Sequence, residues 1–562
     1  MIRIPPLSVR TFAACVVAAS LAWPAHAQVL VHNINGYSCD ANGRLSRFAG
    51  LQVDAQGRVA QRWASAEQAS QASQQAPVGM AIVDGAGQTL LPGLIDAHGH
   101  VRALGEARGR VNLVGTRSLE EALARVAAYA EANPQAPWVV GRGWNQEQWP
   151  GGAFPTASDL DQVVDDRPVY LGRIDGHAAW VNSRALAVAE ITAADDAPVG
   201  GRVEVDERGK PTGVLIDAAG DLVERLVPAP SRDDDRAAIL TALNELASLG
   251  ITGVHDAGIT PQDLAIYREL AQAGELPIRV YGMLAESARE ALAAPLVGEG
   301  NDFLTVSSVK VYADGALGSR GAALLAPYAD EAGNQGLAFK ADTALAALVR
   351  ETSARGFQVN VHAIGDAANR MVLDAFAQVP PQERVARRHR VEHAQIIHPA
   401  DIPRFSALDV IASMQPTHAT SDMFMAMKRL DAQRLVGAYA WRHLIESGAR
   451  IASGSDFPVE PANPFFGLHA AVTRSNRSGQ PPTGWIVEEA MTRTEALCSF
   501  TVEGAFAAHA DDRQGRLDQG YWADFILVDA DPFQVPAQDI WKIGVNATWV
   551  SGKAVYEVKV AR

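Results

Sequence analysis

The chain is 562 residues long, 48% hydrophobic and 20% charged, with a formal net charge of −15. Such a composition gives ample apolar core and excludes a disordered or fibrous chain. The acidic balance excludes binding to nucleic acid or an anionic membrane through a general electrostatic field, and leaves a small molecule as the expected partner.

In chain order, residues 1–27 read as an export signal. Arg3 and Arg10 precede an apolar run, Phe12 to Trp23, which ends in the small-x-small pattern Pro24-Ala25-His26-Ala27. Cleavage is expected after Ala27, with a periplasmic or secreted product that keeps no membrane anchor, because the run is about half the length needed to span a bilayer. Loss of Arg3 and Arg10 takes the formal charge from −15 to −17. The mature chain keeps Cys39 and Cys498; an oxidising compartment permits a bond between them, and the sequence does not demand one. Assembly as a homo-oligomer stays open.

From residue 28 to 88 the segments are short and β-like (Gln28 to Asn33, Phe48 to Val53, Ala81 to Val83), broken by turns such as Asn35-Gly36 and Gln56-Gly57. Residues 511–562 have the same texture, with strands at Asp524 to Val528, Val545 to Val550 and Ala554 to Val558. The two ends are expected to form one small β-sandwich domain around a different middle.

That middle, 89–510, alternates strands with helical spacing. It opens with Thr89 to His100, TLLPGLIDAHGH, read as one buried strand in which alternation turns Asp96, His98 and His100 to one face. Seven more strands follow: Thr252 to Ala257, Pro277 to Leu284, Val306 to Asp314, Phe357 to His362, His389 to His393, Asp409 to Met414 and Arg450 to Asp456. Helical stretches such as Ala237 to Leu249 and Pro261 to Ala273 lie between them. Eight βα units predict an α/β fold, a (β/α)8 TIM barrel with its site at the C-terminal strand ends. Residues 105–222 break the alternation with strands of their own and read as a β-rich insertion after the first strand.

Metal-compatible groups end five of these strands. His98 and His100 project together, and imidazole nitrogen suits zinc and its transition-series neighbours. Alternation points Lys310 into the barrel, where a bare cation is costly and must be paired, neutralised or modified. It also aligns Gln358, Asn360 and His362, and separately His389, Val391, His393 and Gln395, while Asp456 follows Gly454 and Ser455. Together these predict a metal site. Weaker candidates for substrate contact are His177 in the insertion's DGHAAWVN, Trp144 in GRGWNQEQW, His418 in QPTH, and Arg320, which could pair with a substrate carboxylate or with Asp314.

The segments LLPGLIDAHGH, VKVYADGALGSR, VNVHAIGD, VEHAQ and ASGSDFPVE, with the late GRLDQGYWADFILVDADP, resemble the metal-dependent amidohydrolase superfamily, in the amidohydrolase family 3 branch that includes N-substituted formamide deformylases and exported hydrolases. The resemblance implies that His98, His100 and Asp456 bind one ion, that His362 and His393 bind a second, and that Lys310 becomes a carboxylated bridge. The ions would be zinc or another divalent metal, one or two of them. It implies hydrolysis of a non-peptide carbon–nitrogen bond, in an N-substituted formamide-like or N-acyl small molecule, with Asp456 as proton shuttle. Hydrolysis of cyclic amides, carbamates or esters at the same site, and a non-catalytic periplasmic binding protein, are the rival readings.

Overall fold

The computed structural model describes residues 28–174 and 177–558. The proposed signal peptide, including Cys15, and Asp175-Gly176 of the insertion's motif lie outside the described residues.

The middle of the chain forms a nearly closed barrel of eight parallel strands, taken in chain order: β1 (Leu94–Gly99), β2 (Ile251–Ile259), β3 (Arg279–Ala285), β4 (Leu304–Tyr312), β5 (Gln358–Ala363), β6 (Arg390–His393), β7 (Ile411–Met414) and β8 (Ile451–Ser453). Each pairs with the next in sequence. One face of each strand feeds the core shared with the outer helices, as with Val309 and Val311 of β4 and Val359 and Val361 of β5. The opposite face points into the barrel. This is the α/β TIM barrel that the alternation predicted.

The opening stretch is two strands rather than one. Thr89–Pro92 pairs with Phe525–Val528 in a terminal sheet, and the chain enters the barrel only at Leu94. Gly93 is the break, where a side chain would collide with Thr252 at 2.1 Å. Continuous apolar sequence hid the change of sheet, because both sheets are buried there.

β1 and β8 meet without a regular ladder, and Asp96 closes that seam. Its Oδ1 accepts from the His98 and Ser455 N–H groups, both at 3.1 Å, and its Oδ2 from Ser455 Oγ at 2.7 Å. The Asp456 N–H donates to the His98 carbonyl at 2.7 Å. Gly454 permits the approach, since a Cβ there would lie 2.5 Å from the His98 nitrogen.

The terminal sheet has eight strands drawn from both chain ends. Its long first strand, Val29–Cys39, shifts register between His32 and Gly36, so one half pairs with Ala81–Asp84 and the other with Thr89–Pro92. Cys39 and Cys498 are disulfide-bonded, joining this strand to helix Arg493–Ser499 beside the barrel. The segment after β1 forms a six-stranded sheet of its own, with apolar clusters around Trp144 and Trp180 and around Val181 and Leu215.

Candidate metal centre

The strand ends bring His98, His100, Lys310, His362, His393, His418 and Asp456 together at the mouth of the barrel. Ligand atoms of His98, His100 and Asp456 lie within 4.8 Å of one another, and so do those of His393, His418 and Asp456. The His362 and His393 ring centroids are 4.5 Å apart, and those of His98 and His393 4.8 Å. Lys310, buried on β4, places Nζ 3.1 Å from His98 Nε2.

Which ring nitrogen faces the centre follows from what the other one holds. His98 Nδ1 lies 2.6 Å from Glu392 Oε2, a carboxylate that can only accept, so the ring proton sits on Nδ1 and the Nε2 lone pair faces Lys310 and Asp456. His100 Nδ1 donates to the Ala257 carbonyl at 2.9 Å, leaving Nε2 3.1 Å from Asp456 Oδ1. His393 Nδ1 donates to Gln415 Oε1 at 2.9 Å, and the Gln415 amide is oriented by its own donation to the Ser413 carbonyl. His362 leaves Nε2 buried without a hydrogen-bond partner, as does Asp456 with Oδ1. Three oriented imidazole lone pairs therefore converge with the buried, unpartnered His362 Nε2 and Asp456 Oδ1. That donor set fits a divalent transition-metal ion.

Charge is tuned to match. Burial holds His98, His362 and His393 below the usual histidine range, His362 at about 3, so all stay neutral near pH 7, the form in which an imidazole can bind a metal. Burial lowers Lys310 as well, against the opposing fields of Glu392 and Asp456. Burial alone would raise Asp456, but the surrounding His98, His100 and His418 rings outweigh it and hold the carboxyl well below its ordinary value.

Two of the ligand positions depart from simple alternation. On β6 the inward residues are Arg390 and Glu392, whereas His389 stacks outward on Phe376 with ring centroids 4.9 Å apart and Val391 joins the outer core. His393 reaches the mouth because its backbone turns left-handed (φ 73°), followed by Ala394 (φ 45°). Asp456 turns in the same way past the end of β8 (φ 61°). The alternation argument therefore missed Glu392, although its place two residues after Arg390 on an inward face was the available signal. Gln415, which orients His393, was missed too, and Gln395, placed on the His393 face, was given no part beside His418.

The weaker candidates divide. His418 lies in the cavity wall, its ring nearly parallel to that of His393 (14°). Trp144 does not line the site. It is fully buried in the insertion's own core, packs on Trp149 and Trp180, and donates to the Leu171 carbonyl at 2.8 Å. Arg320 turns away to Asp330 and Glu331 at 3.0 and 3.1 Å. It does not meet Asp314, whose buried carboxylate takes the Ala323, Ile364 and Gly365 N–H groups and so anchors the loops beside the mouth. His177 is carried on the inserted sheet, 2.9 Å from Asp217, and among the described residues it is not part of the cavity wall.

A cavity of about 390 Å³ opens over the centre, walled by Tyr312, Leu317, Ile364, Met425 and Val459. A parallel barrel with a histidine–carboxylate centre at its C-terminal mouth defines a metal-dependent hydrolase of the amidohydrolase type. The chain belongs to the Amidohydrolase family, whose sequence pattern matches residues 81–556. It is similar to a putative amidohydrolase, YtcJ, of Bacillus subtilis, 32% identical over 84% of this chain and 89% of that one. It is also similar to an N-substituted formamide deformylase of Arthrobacter pascens, 27% identical over 85% and 90%. Among solved structures, an uncharacterized metal-dependent hydrolase from Pyrococcus horikoshii is 26% identical with a TM-score of 0.73, covering 91% of this chain and 99% of that chain.

Proposed function

We propose that this chain hydrolyses the carbon–nitrogen bond of a small, non-peptide amide carrying an apolar substituent, an N-substituted formamide or N-acyl amine. The observation that carries the reading is the convergence of His98, His100, His362, His393 and Asp456, with His362 Nε2 and Asp456 Oδ1 buried and unpartnered, beneath a largely apolar-walled cavity. A bound zinc or similar divalent ion would supply Lewis acidity, activating water and polarising the substrate carbonyl.

The rest falls to the chain's own residues. His98, His100 and Asp456 would hold one ion, and His362 and His393 a second. Burial lowers the Lys310 amine and so favours its nucleophilic neutral form, which would add to carbon dioxide with loss of one proton to give an anionic carbamate, a further ligand for the metal. Asp456 Oδ1, ionised and at the centre, accepts the proton of the attacking water and delivers it to the departing amine nitrogen, which must be protonated to leave. Tyr312, Leu317, Ile364 and Met425 surround the substituent and exclude water. The arginine-like anchor that a substrate carboxylate would need is not supplied by Arg320. The predicted leader and the Cys39–Cys498 bond together favour action in an exported, oxidising compartment.

The test is turnover by metal-loaded mature protein across N-substituted formamides, N-acyl amines, lactams, carbamates and esters, beside metal content per chain. Hydrolysis of the acyclic amides, lost on chelation and restored by zinc with bicarbonate, is expected. Preference for lactams, carbamates or esters would move the substrate assignment, and a metal-loaded chain that turns over none of them would sink the enzyme reading.

A further inference from the structure

His418 is grouped in space with His393 and Asp456 as if it were a third ligand, yet its hydrogen bonding is the reverse of theirs. His98, His100 and His393 each direct Nδ1 at an acceptor: a carboxylate, a backbone carbonyl and an amide oxygen. His418 Nδ1 instead faces the amide nitrogen of Gln395 at 3.2 Å. An amide N–H₂ only donates, so Nδ1 must accept and the ring proton is carried on Nε2. That nitrogen is buried in the cavity wall without a hydrogen-bond partner, and lies 3.7 Å from Asp456 Oδ2, too far for a hydrogen bond. A nitrogen bearing a proton has no lone pair in the ring plane to give a metal.

We propose that His418 is not a metal ligand but the hydrogen-bond donor to the substrate's carbonyl oxygen, its Nε2–H stabilising the oxyanion that develops when water attacks, and that Gln395 is the positioning residue that fixes this tautomer. The inference rests on the amide-hydrolase reading and deepens it. The near-parallel stacking of the His418 and His393 rings, at 6.1 Å between centroids, sets the donor beside the metal ligands and across the cavity from none of them. A substrate carbonyl oxygen reaching Nε2 from the cavity would take the donor that Asp456, at 3.7 Å, leaves unused. Water attack at the carbonyl carbon then moves the π electron pair onto an oxygen already facing a preorganised donor.

The test uses the full mature protein and the best amide substrate of the wild-type chain. His418→Ala is expected to keep the wild-type metal content and the visible spectrum of the cobalt-substituted protein, to change KM by only a few-fold, and to lower kcat by about 10² to 10³-fold, the cost of removing one oxyanion donor. His418→Gln, whose amide nitrogen can stand in for Nε2, should recover part of that loss. Gln395→Glu presents an acceptor to Nδ1, drives the proton off Nε2, and should lower kcat towards the His418→Ala value with metal content unchanged. Loss of metal or an altered cobalt spectrum in His418→Ala would make His418 a ligand and overturn the proposal. An unchanged kcat in either His418→Ala or Gln395→Glu would overturn it equally. These results are read only against a wild-type chain that turns over; a wild-type chain inactive on every amide is instead the failure of the hydrolase reading.

Discussion

The barrel buries two polar clusters, one at the mouth and one towards the floor, and they differ in what is left over. Near the floor, Arg390 directs Nη1 at His255 Nδ1 (3.0 Å) and Nη2 at the Ala507 carbonyl. Tyr281 donates to Gln358 Oε1 at 3.0 Å, accepts from Ser307 at 3.0 Å, and Gln358 donates to the Arg388 and Ala507 carbonyls. The strands' first residues and helix Val502–Ala507 are thereby tied together. At the mouth the ring protons of His98, His100 and His393 are equally well held, but the opposite nitrogens converge with the buried, unpartnered His362 Nε2 and Asp456 Oδ1. Polar groups bonded to one another in a core hold structure; metal-compatible atoms that converge on one cavity mark where a ligand belongs.

The sharpest way to break that contrast is Asp456→Asn. It removes the proposed proton acceptor while keeping the shape, so kcat should fall by about 10² to 10⁴-fold with little change in unfolding temperature. A variant that instead unfolds readily would make Asp456 a structural group like those of the floor. Arg390→Met should do the opposite. Removing one member of a fully buried charged network is expected to cost about 3–5 kcal/mol of stability, read by urea unfolding, while molecules that remain folded keep their metal.

Glu392 touches both clusters, 3.9 Å from Arg390 and 2.6 Å from His98. Glu392→Leu should weaken metal binding by about 10 to 100-fold in a chelator competition, because His98 loses the group that fixes its tautomer. Glu392→Gln keeps an acceptor oxygen and should recover most of it; equal loss in both variants would show that charge rather than orientation matters.

The smallest effect is the pH response of the floor. Burial, then the charge of Arg390, depresses His255 well below its ordinary value, so the folded chain keeps it neutral while the unfolded chain takes up a proton below about pH 6.5. Stability from this group is therefore complete above that pH and falls as pH drops, by at most about 1.4 kcal/mol per unit. Metal-free protein carrying His255→Gln should show a shallower acid slope than the wild type in unfolding experiments from pH 7 to 5. An identical slope would remove His255 from the account.

Local periodicity was enough to read the barrel and most of the residues that gather at its mouth from the chain. The strand order follows sequence order, the outward Val309, Val311, Val359 and Val361 alternate with inward Lys310 and His362, and the His98–His100 pair needs only an extended backbone. What failed was what depends on a change of backbone direction or on a distant partner. The opening run looked like one strand because both sheets it serves are buried. His393 and Asp456 reach the mouth only through left-handed turns, which let Glu392 take the inward place that alternation had given to its neighbour. Trp144 and Arg320 were read as neighbours of a cavity when each had a nearer partner, the insertion's aromatic core and an acidic loop.

The sequence by itself therefore determined the repeating βα frame, the metal-ready residue types and the strand ends that carry them, since spacing along one strand fixes which face a side chain takes. Only the tertiary structure decided which ring nitrogen of each histidine is free. That choice belongs to groups far away in the chain, such as Glu392 for His98 and Ala257 for His100. It sets His418 apart from the histidines beside it, because a hydrogen-bond partner, not a residue type, sets where an imidazole keeps its proton.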